Sequence, residues 1–198
     1  MSGAVLLVDW RDSPQLPRDG YYDRRPLGKI KEAIIHNTGG QEDVQQDNDY
    51  HRKEAVWVKG DPSVHAPHVA YHVWLPMDPL GFLEAHGIAH EGDVDSVVVW
   101  CNHLEEISWH ATNGNPTSVG IATQGDGQAE EMTQAQLIGL HWLLNDHLPD
   151  QGVVIERQNV WGHGECGGVY GGGPPYGNAT VCPGEKRLPQ VQAIRNNS

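Results

Sequence analysis

Two histidines and a cysteine, His36, His163 and Cys182, have side chains that could bind a metal ion and support hydrolysis. Imidazole nitrogen and thiolate sulfur are ligands of Zn²⁺, and a catalytic zinc site usually takes three protein ligands and leaves a fourth position to water. Zinc polarises a carbonyl and lowers the pKa of water, so that an amide can be attacked near neutral pH. The three residues are far apart along the chain, and their spacing alone does not assemble a site.

The first of these histidines is predicted to lie at the end of a buried strand. Ala33, Ile34 and Ile35 form a short, partly β-branched apolar run, and Gly39 with the glycine after it marks a loop downstream. A rigid strand that ends at a cleft is a suitable position for a ligand or a proton carrier. A strand-end histidine is more often a satisfied polar residue. The two distant ligands are what favour a functional site here.

Further strands are predicted over residues 67–75, 97–100 and 118–125, and helices over residues 41–54, 133–148 and 186–195. In the first helix Val44, Tyr50 and Ala55 are predicted to face inward. The glycines of the strand at 118–125 indicate a close approach of backbone. Residues 1–26 mix tryptophan, proline and a turn, which indicates a lead-in segment that wraps the domain.

Composition restricts the partners. The chain has 198 residues, 38% of them hydrophobic, which suits a single domain. A net charge of -13 leaves no basic stripe for phosphates, so no nucleic acid partner is expected. No apolar stretch reaches the length of a membrane span, so no membrane insertion is expected. The N-terminus lacks the basic leader and apolar core of a signal peptide.

Other candidate ligands carry less weight. Cys101, Cys166 and Cys182 are an odd set, which favours metal binding or free thiols over a disulfide framework, although a pair between the first two stays open. His68 and His72 would form a metal pair on a helix, but in a strand they are roughly 13 Å apart at about 3.3 Å per residue. The strand prediction therefore places them on a sheet face without a shared ion.

Six short motifs occur in the order seen in zinc-dependent N-acetylmuramoyl-L-alanine amidases. They are Ile34-Ile-His-Asn-Thr38, Ala70-Tyr-His-Val73, Ser108-Trp-His-Ala111, Ser118-Val-Gly-Ile121, Trp161-Gly-His163 and Thr180-Val-Cys-Pro-Gly184. The chain resembles type-2 amidases of the peptidoglycan recognition protein superfamily from about residue 30 to residue 195. The resemblance implies an α/β fold, a single domain with a mixed central sheet flanked by helices. It places the catalytic domain at residues 27–198, after the lead-in segment 1–26.

The resemblance also implies a site. His36, His163 and Cys182 would hold Zn²⁺, with Cys166 as a rival ligand because His163-Gly-Glu-Cys166 is also a plausible local pair. Tyr71 matches a family tyrosine near the water, where a phenol can donate a hydrogen bond, and its alternative is a buried packing role. Thr180 stands where many phage and recycling amidases carry lysine. A hydroxyl there still donates one hydrogen bond.

A loop with aromatic and amide side chains matches the substrate groove of the family. Its predicted substrate-binding residues are Trp109, His110, Asn113 and Asn115, and the alternative is an ordinary solvated turn. The Gly-rich excursion at residues 167–175 is longer than usual for the family and is either a lid or a tolerated insertion, the latter being the default.

The function implied by the resemblance is hydrolysis of the amide between N-acetylmuramic acid and L-alanine in peptidoglycan. A compact chain without signal or wall-binding module resembles a phage endolysin, a monomer made in the host cytoplasm and released to the wall by a partner such as a holin. Two rivals stay open, a cytosolic amidase that recycles wall fragments and a non-catalytic peptidoglycan receptor. Ala122, where recycling enzymes place a glutamate, favours the endolysin, and the cysteine ligand disfavours the receptor. A structural zinc protein would unfold on chelation and cleave nothing.

Overall fold

The computed structural model describes residues 3–40, 43–54, 64–176 and 179–196. Its centre is a six-stranded sheet in the order β1-β4-β3-β5-β2-β6. The strands are β1 (Val5–Asp9), β2 (Glu32–Asn37), β3 (Val73–Leu75), β4 (Ser96–Trp100), β5 (Ser118–Thr123) and β6 (Val160–Gly162). β3 and β4 pair antiparallel and the other neighbours pair parallel. The sheet is therefore mixed, as predicted.

Helices cover both faces of the sheet. They are α1 (Val44–Asp49), α2 (Pro79–Ala85), α3 (Gln134–Trp142), α4 (Leu148–Asp150), α5 (His163–Cys166) and α6 (Leu188–Asn196). α3 begins at the N-cap Thr133, whose side chain accepts the backbone N–H of Gln136, and a π-helical turn, Leu143–His147, joins it to α4. A second π-helical turn, Tyr50–Glu54, extends α1. No helix of the described residues is both long and apolar enough to span a bilayer.

Each face of the sheet buries its own apolar core. On one face, strand residues such as Ala33, Ile35 and Ile121 pack with Leu140 of α3 and Val191 of α6. On the other face, a second cluster joins β4 to the N-terminal segment and α2; it includes Val8, Trp10, Trp74, Phe82, Val97 and Val99. Burial on both faces explains why the strands read as continuous apolar runs rather than as alternating ones.

The N-terminal segment adds a strand that its composition did not predict. Val5–Asp9 forms β1, the edge strand that pairs parallel with β4. Beyond it, Trp10, Leu16 and Tyr22 are buried, and the Tyr22 hydroxyl donates to the carbonyl of His68 at 2.7 Å. Part of the lead-in segment is thus built into the sheet and the core.

Most predicted elements are confirmed, with two corrections. The strand predicted for residues 67–75 is wrong before Val73, because the carbonyls of Val69 and Tyr71 accept a side chain instead of a neighbouring strand: Asn102 Nδ2 donates to them at 2.7 and 2.6 Å. The inward position of Tyr50 is also wrong, since that side chain is 52% exposed, and Ala55 lies outside the described residues. The predicted helix at 41–54 is confirmed from residue 44 onward.

Buried neutral histidines make the fold sensitive to acid. Burial and the nearby charge of Arg25 lower the pKa of His72 to about 3, and burial lowers the pKa of His51 to about 4. In the unfolded chain both titrate near the ordinary value of 6.5. Their contribution to stability is therefore complete above pH 6.5 and is lost as the pH falls towards 4 and then 3.

We expect the free energy of unfolding of the zinc-free protein, measured by denaturant titration, to fall between pH 7.5 and pH 4.5. Each of the two histidines should account for roughly 2 kcal/mol of this loss. His72→Asn keeps an acceptor for the Gly120 amide, which donates to His72 Nδ1 at 3.1 Å, and should flatten the slope. The control His90→Asn, at an exposed site, should leave the slope of stability against pH unchanged. A stability that is constant over this range would contradict the prediction.

Candidate metal centre

Strand β2 carries His36 into the interior. Its alternation sends Ala33 and Ile35 into one core, while Ile34 and His36 point to the opposite face. His36 is the penultimate residue of the strand and is 2% exposed. The predicted position, a histidine at the end of a buried strand, is confirmed.

Parallel pairing brings the second histidine beside the first. β6 pairs parallel with β2, with Ile35 opposite Gly162, so that His163 follows directly at the same edge of the sheet. His163 opens α5, and its ring centroid lies 4.6 Å from that of His36. The carboxyl ends of two parallel strands thus place both imidazoles together.

The cysteine arrives from a loop that packs closely against α5. The sulfur of Cys182 lies 3.6 Å from Nδ1 of His36 and accepts the backbone N–H of Asn37 at 3.3 Å. The N–H of Gly164 donates to the carbonyl of Cys182. A Cβ at Gly164 would lie 2.5 Å from the carbonyl oxygen of Thr180, so the bare backbone permits this approach.

The three side chains fit a zinc ion. One ligand atom from each of His36, His163 and Cys182 lies within 4.8 Å of the others, and no other such group of three occurs in the described part of the chain. Nε2 of His163 is buried and has no hydrogen-bond partner among the described residues, as expected for an atom kept for a ligand. Two imidazoles and a thiol are a donor set typical of zinc.

The other two cysteines do not belong to this set. Cys166 is buried in a small apolar cluster with Ile34 and Ala111, and both Cys101 and Cys166 are free thiols. The structure therefore assembles the site with Cys182 rather than with the rival Cys166, and the disulfide alternative is not formed.

Burial keeps both imidazoles neutral. It lowers the pKa of His36 well below its ordinary value, with the neighbouring histidines adding to the effect, and it lowers the pKa of His163 to about 4. A neutral imidazole has the free lone pair that a metal requires. Burial raises the pKa of the Cys182 thiol to about 12, although the hydrogen bond from Asn37 and the charge of Arg187 both act to lower it. A bound cation would favour the thiolate and release a proton.

An open cavity of about 320 Å³ lies over the three ligands. Tyr71, Trp109, His110 and Thr180 are among the residues that line it. A second cavity, of about 390 Å³, lies beside α3 and contains none of the three ligands. The candidate metal site is therefore at the smaller of these two cavities.

Two predicted catalytic hydroxyls are at this cavity. The ring of Tyr71 lies 5.0 Å from that of His36, and burial raises the pKa of the phenol well above 10, which keeps its proton available for donation. Oγ1 of Thr180 accepts the backbone N–H of Cys182 at 3.2 Å. As a hydroxyl, Thr180 can also donate one hydrogen bond.

The predicted groove loop divides into two parts. Trp109 and His110 line the cavity, whereas Asn113 is exposed and outside the lining. Asn115 is buried, and its Oδ1 accepts the backbone N–H groups of His110 and Ala111 at 3.0 and 2.5 Å. Contact of these residues with a substrate stays a prediction.

A buried carboxylate that the sequence analysis did not identify supports His163. Glu165 is 2% exposed, accepts the backbone N–H of Gly162 at 2.8 Å and forms a two-pronged ion pair with Arg195 of α6, at 3.0 and 2.8 Å. The pair ties the helix that begins at His163 to the end of the chain. The one feature of the sequence that could have indicated this role is that Glu165 lies two residues after His163.

We expect Glu165→Ala to lower the free energy of unfolding by about 3 kcal/mol, because it leaves Arg195 without its buried partner. Denaturant titration measures this. Lys53→Ala, which removes an exposed ion pair with Asp49, is the control and should cost less than about 0.5 kcal/mol. Equal stabilities of the two variants would contradict a supporting role for Glu165.

Known proteins are similar to this chain in sequence or in fold. Peptidoglycan-recognition protein SC2 of Drosophila simulans is 23% identical over 164 residues, which cover 83% of this chain and 73% of that protein. The solved endolysin N-acetylmuramoyl-L-alanine amidase LysCS of Clostridium intestinale URNW has a TM-score of 0.57 at 15% identity, covering 96% of this chain and 95% of that one. Peptidoglycan recognition protein-LE, solved in complex with tracheal cytotoxin, a monomeric diaminopimelic acid-type peptidoglycan, has a TM-score of 0.63 at 15% identity, covering 94% and 92%.

The amino-acid sequence matches a protein family over most of its length. The family described as N-acetylmuramoyl-L-alanine amidase (Amidase_2) matches residues 26–185, a range that contains His36, His163 and Cys182. The chain therefore belongs to the N-acetylmuramoyl-L-alanine amidase family.

Proposed function

We propose that the protein is a zinc-dependent amidase that hydrolyses the bond between N-acetylmuramic acid and L-alanine in peptidoglycan. The observation that carries this proposal is the convergence of His36, His163 and Cys182 beneath an open cavity. A structural zinc site is closed by four protein ligands, whereas three ligands beneath a cavity leave a position for water or substrate.

The protein groups have separate tasks in this reaction. When bound by the three ligands, Zn²⁺ supplies a Lewis acid that polarises the amide carbonyl and makes water a nucleophile near neutral pH. Tyr71 keeps its proton and can donate a hydrogen bond to the oxyanion that develops on the carbonyl oxygen. Thr180 orients the Cys182 backbone and can donate a second hydrogen bond. Trp109, half-buried at the cavity, offers an aromatic face to the sugar or peptide.

Peptidoglycan is the proposed substrate because of the family and because a protein of similar fold was solved with a peptidoglycan fragment. The cavity is open to the surface, as a polymeric substrate requires. We expect no nucleic acid partner, since the net charge is -13.

We propose further that the protein acts as an endolysin, a monomer made in the cytoplasm of a phage host and released to the wall through a holin-type partner. Similarity to a solved endolysin supports this role. The apolar Ala122, buried in β5, supports it over a recycling amidase, because no carboxylate stands at that position. The cysteine ligand supports an enzyme over a peptidoglycan receptor.

Chelation and reloading test the proposal. Purified protein should clear sacculi and release free peptide stems, should lose this activity after chelator treatment and should regain it when zinc is added. Soluble muropeptides, assayed in parallel, distinguish an endolysin from a recycling amidase. A recycling amidase would cleave the muropeptides and leave sacculi intact. Binding to sacculi without release of stems, with or without zinc, would favour the receptor and overturn the amidase.

A further inference from the structure

A chain of hydrogen bonds leads from His36 away from the metal ligands and ends at a backbone carbonyl. Nε2 of His36 lies 3.2 Å from Nδ1 of His110, and Nε2 of His110 lies 3.3 Å from Oγ of Ser118. Oγ of Ser118 lies 2.6 Å from the carbonyl oxygen of Gly114. All three side chains are buried, at 2%, 6% and 0% exposure, so the protein itself satisfies these groups.

The hydrogen bond between Ser118 and Gly114 determines which group donates and which accepts in the other two hydrogen bonds. A carbonyl oxygen can only accept, so Ser118 must direct its hydroxyl proton to Gly114 and offers only lone pairs to His110. Nε2 of His110 then carries the proton, and its Nδ1 has the lone pair. The opposite arrangement would leave two lone pairs facing each other at 2.6 Å.

These donor and acceptor roles also determine which nitrogen of His36 can bind a metal. Because Nδ1 of His110 accepts, Nε2 of His36 must donate, and the lone pair of neutral His36 is then on Nδ1. That atom is the one 3.6 Å from the sulfur of Cys182. The other tautomer would direct an N–H at the position where an ion held by His36, His163 and Cys182 would bind.

We propose that His110 is a positioning residue, which selects the tautomer and ring orientation of His36 so that Nδ1 of His36 is ready to bind the metal. This rests on the zinc site of the proposed function. Partners that orient a metal-ligating histidine raise metal affinity and are as much a part of the site as the ligands. Here the orienting partner is itself held by Ser118.

The surroundings of His110 are built to hold its ring. Gly120 of β5 lies beneath it, and a Cβ there would be 2.5 Å from Cγ of His110. Oδ1 of Asn115 fixes the backbone N–H of His110 at 3.0 Å. Both ring nitrogens are engaged within the protein, so a hydrogen bond from His110 to substrate would break one of these contacts. The geometry therefore favours orientation of His36 over substrate binding.

Two variants whose side chains have the same number of heavy atoms separate the acceptor from the packing role of His110. In His110→Asn the amide oxygen can take the place of Nδ1, whereas His110→Leu has the same branched shape without an acceptor. Zinc affinity, measured by competition with a chromogenic chelator, should fall roughly 10- to 100-fold for the leucine variant. The asparagine variant should keep most of the affinity. Equal affinities of the two variants would overturn the proposal.

A second measurement needs no variant. Long-range ¹⁵N–¹H correlation spectra of the wild-type protein report which ring nitrogen carries the proton, both with zinc bound and after its removal. We expect Nε2–H for His110 and for His36 in both states. An Nδ1–H tautomer of His110 would overturn the proposal. A wild-type protein that binds zinc but cleaves no peptidoglycan would refute the proposed function and leave this inference standing.

Discussion

Cys182→Ser should lower amidase activity roughly a thousand-fold and remove bound zinc, because the metal contributes several kcal/mol of transition-state stabilisation and each 1.4 kcal/mol is about tenfold in rate. The sulfur of Cys182 faces Nδ1 of His36 at 3.6 Å, and a neutral serine hydroxyl cannot replace the charge of a thiolate. Zinc content by atomic absorption and turbidity loss of sacculi measure the two effects.

Cys166→Ser is the matched control, since it makes the same change at the rival cysteine. Cys166 is 1% exposed and lies outside the three-ligand group. A buried hydroxyl there costs stability of about 1–3 kcal/mol. Activity and zinc content per folded molecule should stay near those of the wild type. If the Cys166 variant loses zinc and the Cys182 variant retains it, the ligand set is wrong.

Tyr71→Phe should reduce kcat by roughly 100-fold while zinc content stays unchanged. Removing the hydroxyl leaves the ring beside His36 and deletes the donor that we propose for the developing charge in the cavity. Such a donor acts mainly in the transition state, so KM should change much less than kcat. Release of free peptide stems from a defined muropeptide gives both constants.

Tyr50→Phe makes the same change on an exposed ring and should leave kcat unaltered. Full activity of Tyr71→Phe would mean that this ring has a packing role only. Loss of zinc in the same variant would instead identify its hydroxyl as a support of the metal site.

Much of the site could be predicted from local sequence. The apolar run before His36 predicted a buried strand, and the structure has β2 there. Strands β4 and β5 were predicted for the same reason, since residues buried on both faces form continuous apolar runs. The glycine of β5 predicted a close approach, and Gly120 indeed lies against the ring of His110.

Local patterns failed where distant groups decide the backbone. Residues 67–72 alternate like a strand, but the side chains of Asn102 and Tyr22 bind the carbonyls of residues 68, 69 and 71. The backbone N–H of His72, at the end of this stretch, donates to the carbonyl of Gly120 in β5 at 2.9 Å. Glu165 reads as an ordinary surface glutamate until Arg195, 30 residues later, is placed beside it. Neither partner can be identified from periodicity, because hydrogen bonds between side chains and distant backbone leave no repeat in the sequence.

The sequence by itself determined the chemical types of the ligands, the strands that carry them and the family to which the chain belongs. Only the tertiary structure decided which cysteine joins the two histidines and which nitrogen of His36 faces it. The reason is physical: His36 and Cys182 are 146 residues apart, and parallel strand pairing with glycine-permitted backbone contact brings them to 3.6 Å. The tautomer of His36 depends in turn on a buried network that exists only after the chain has folded.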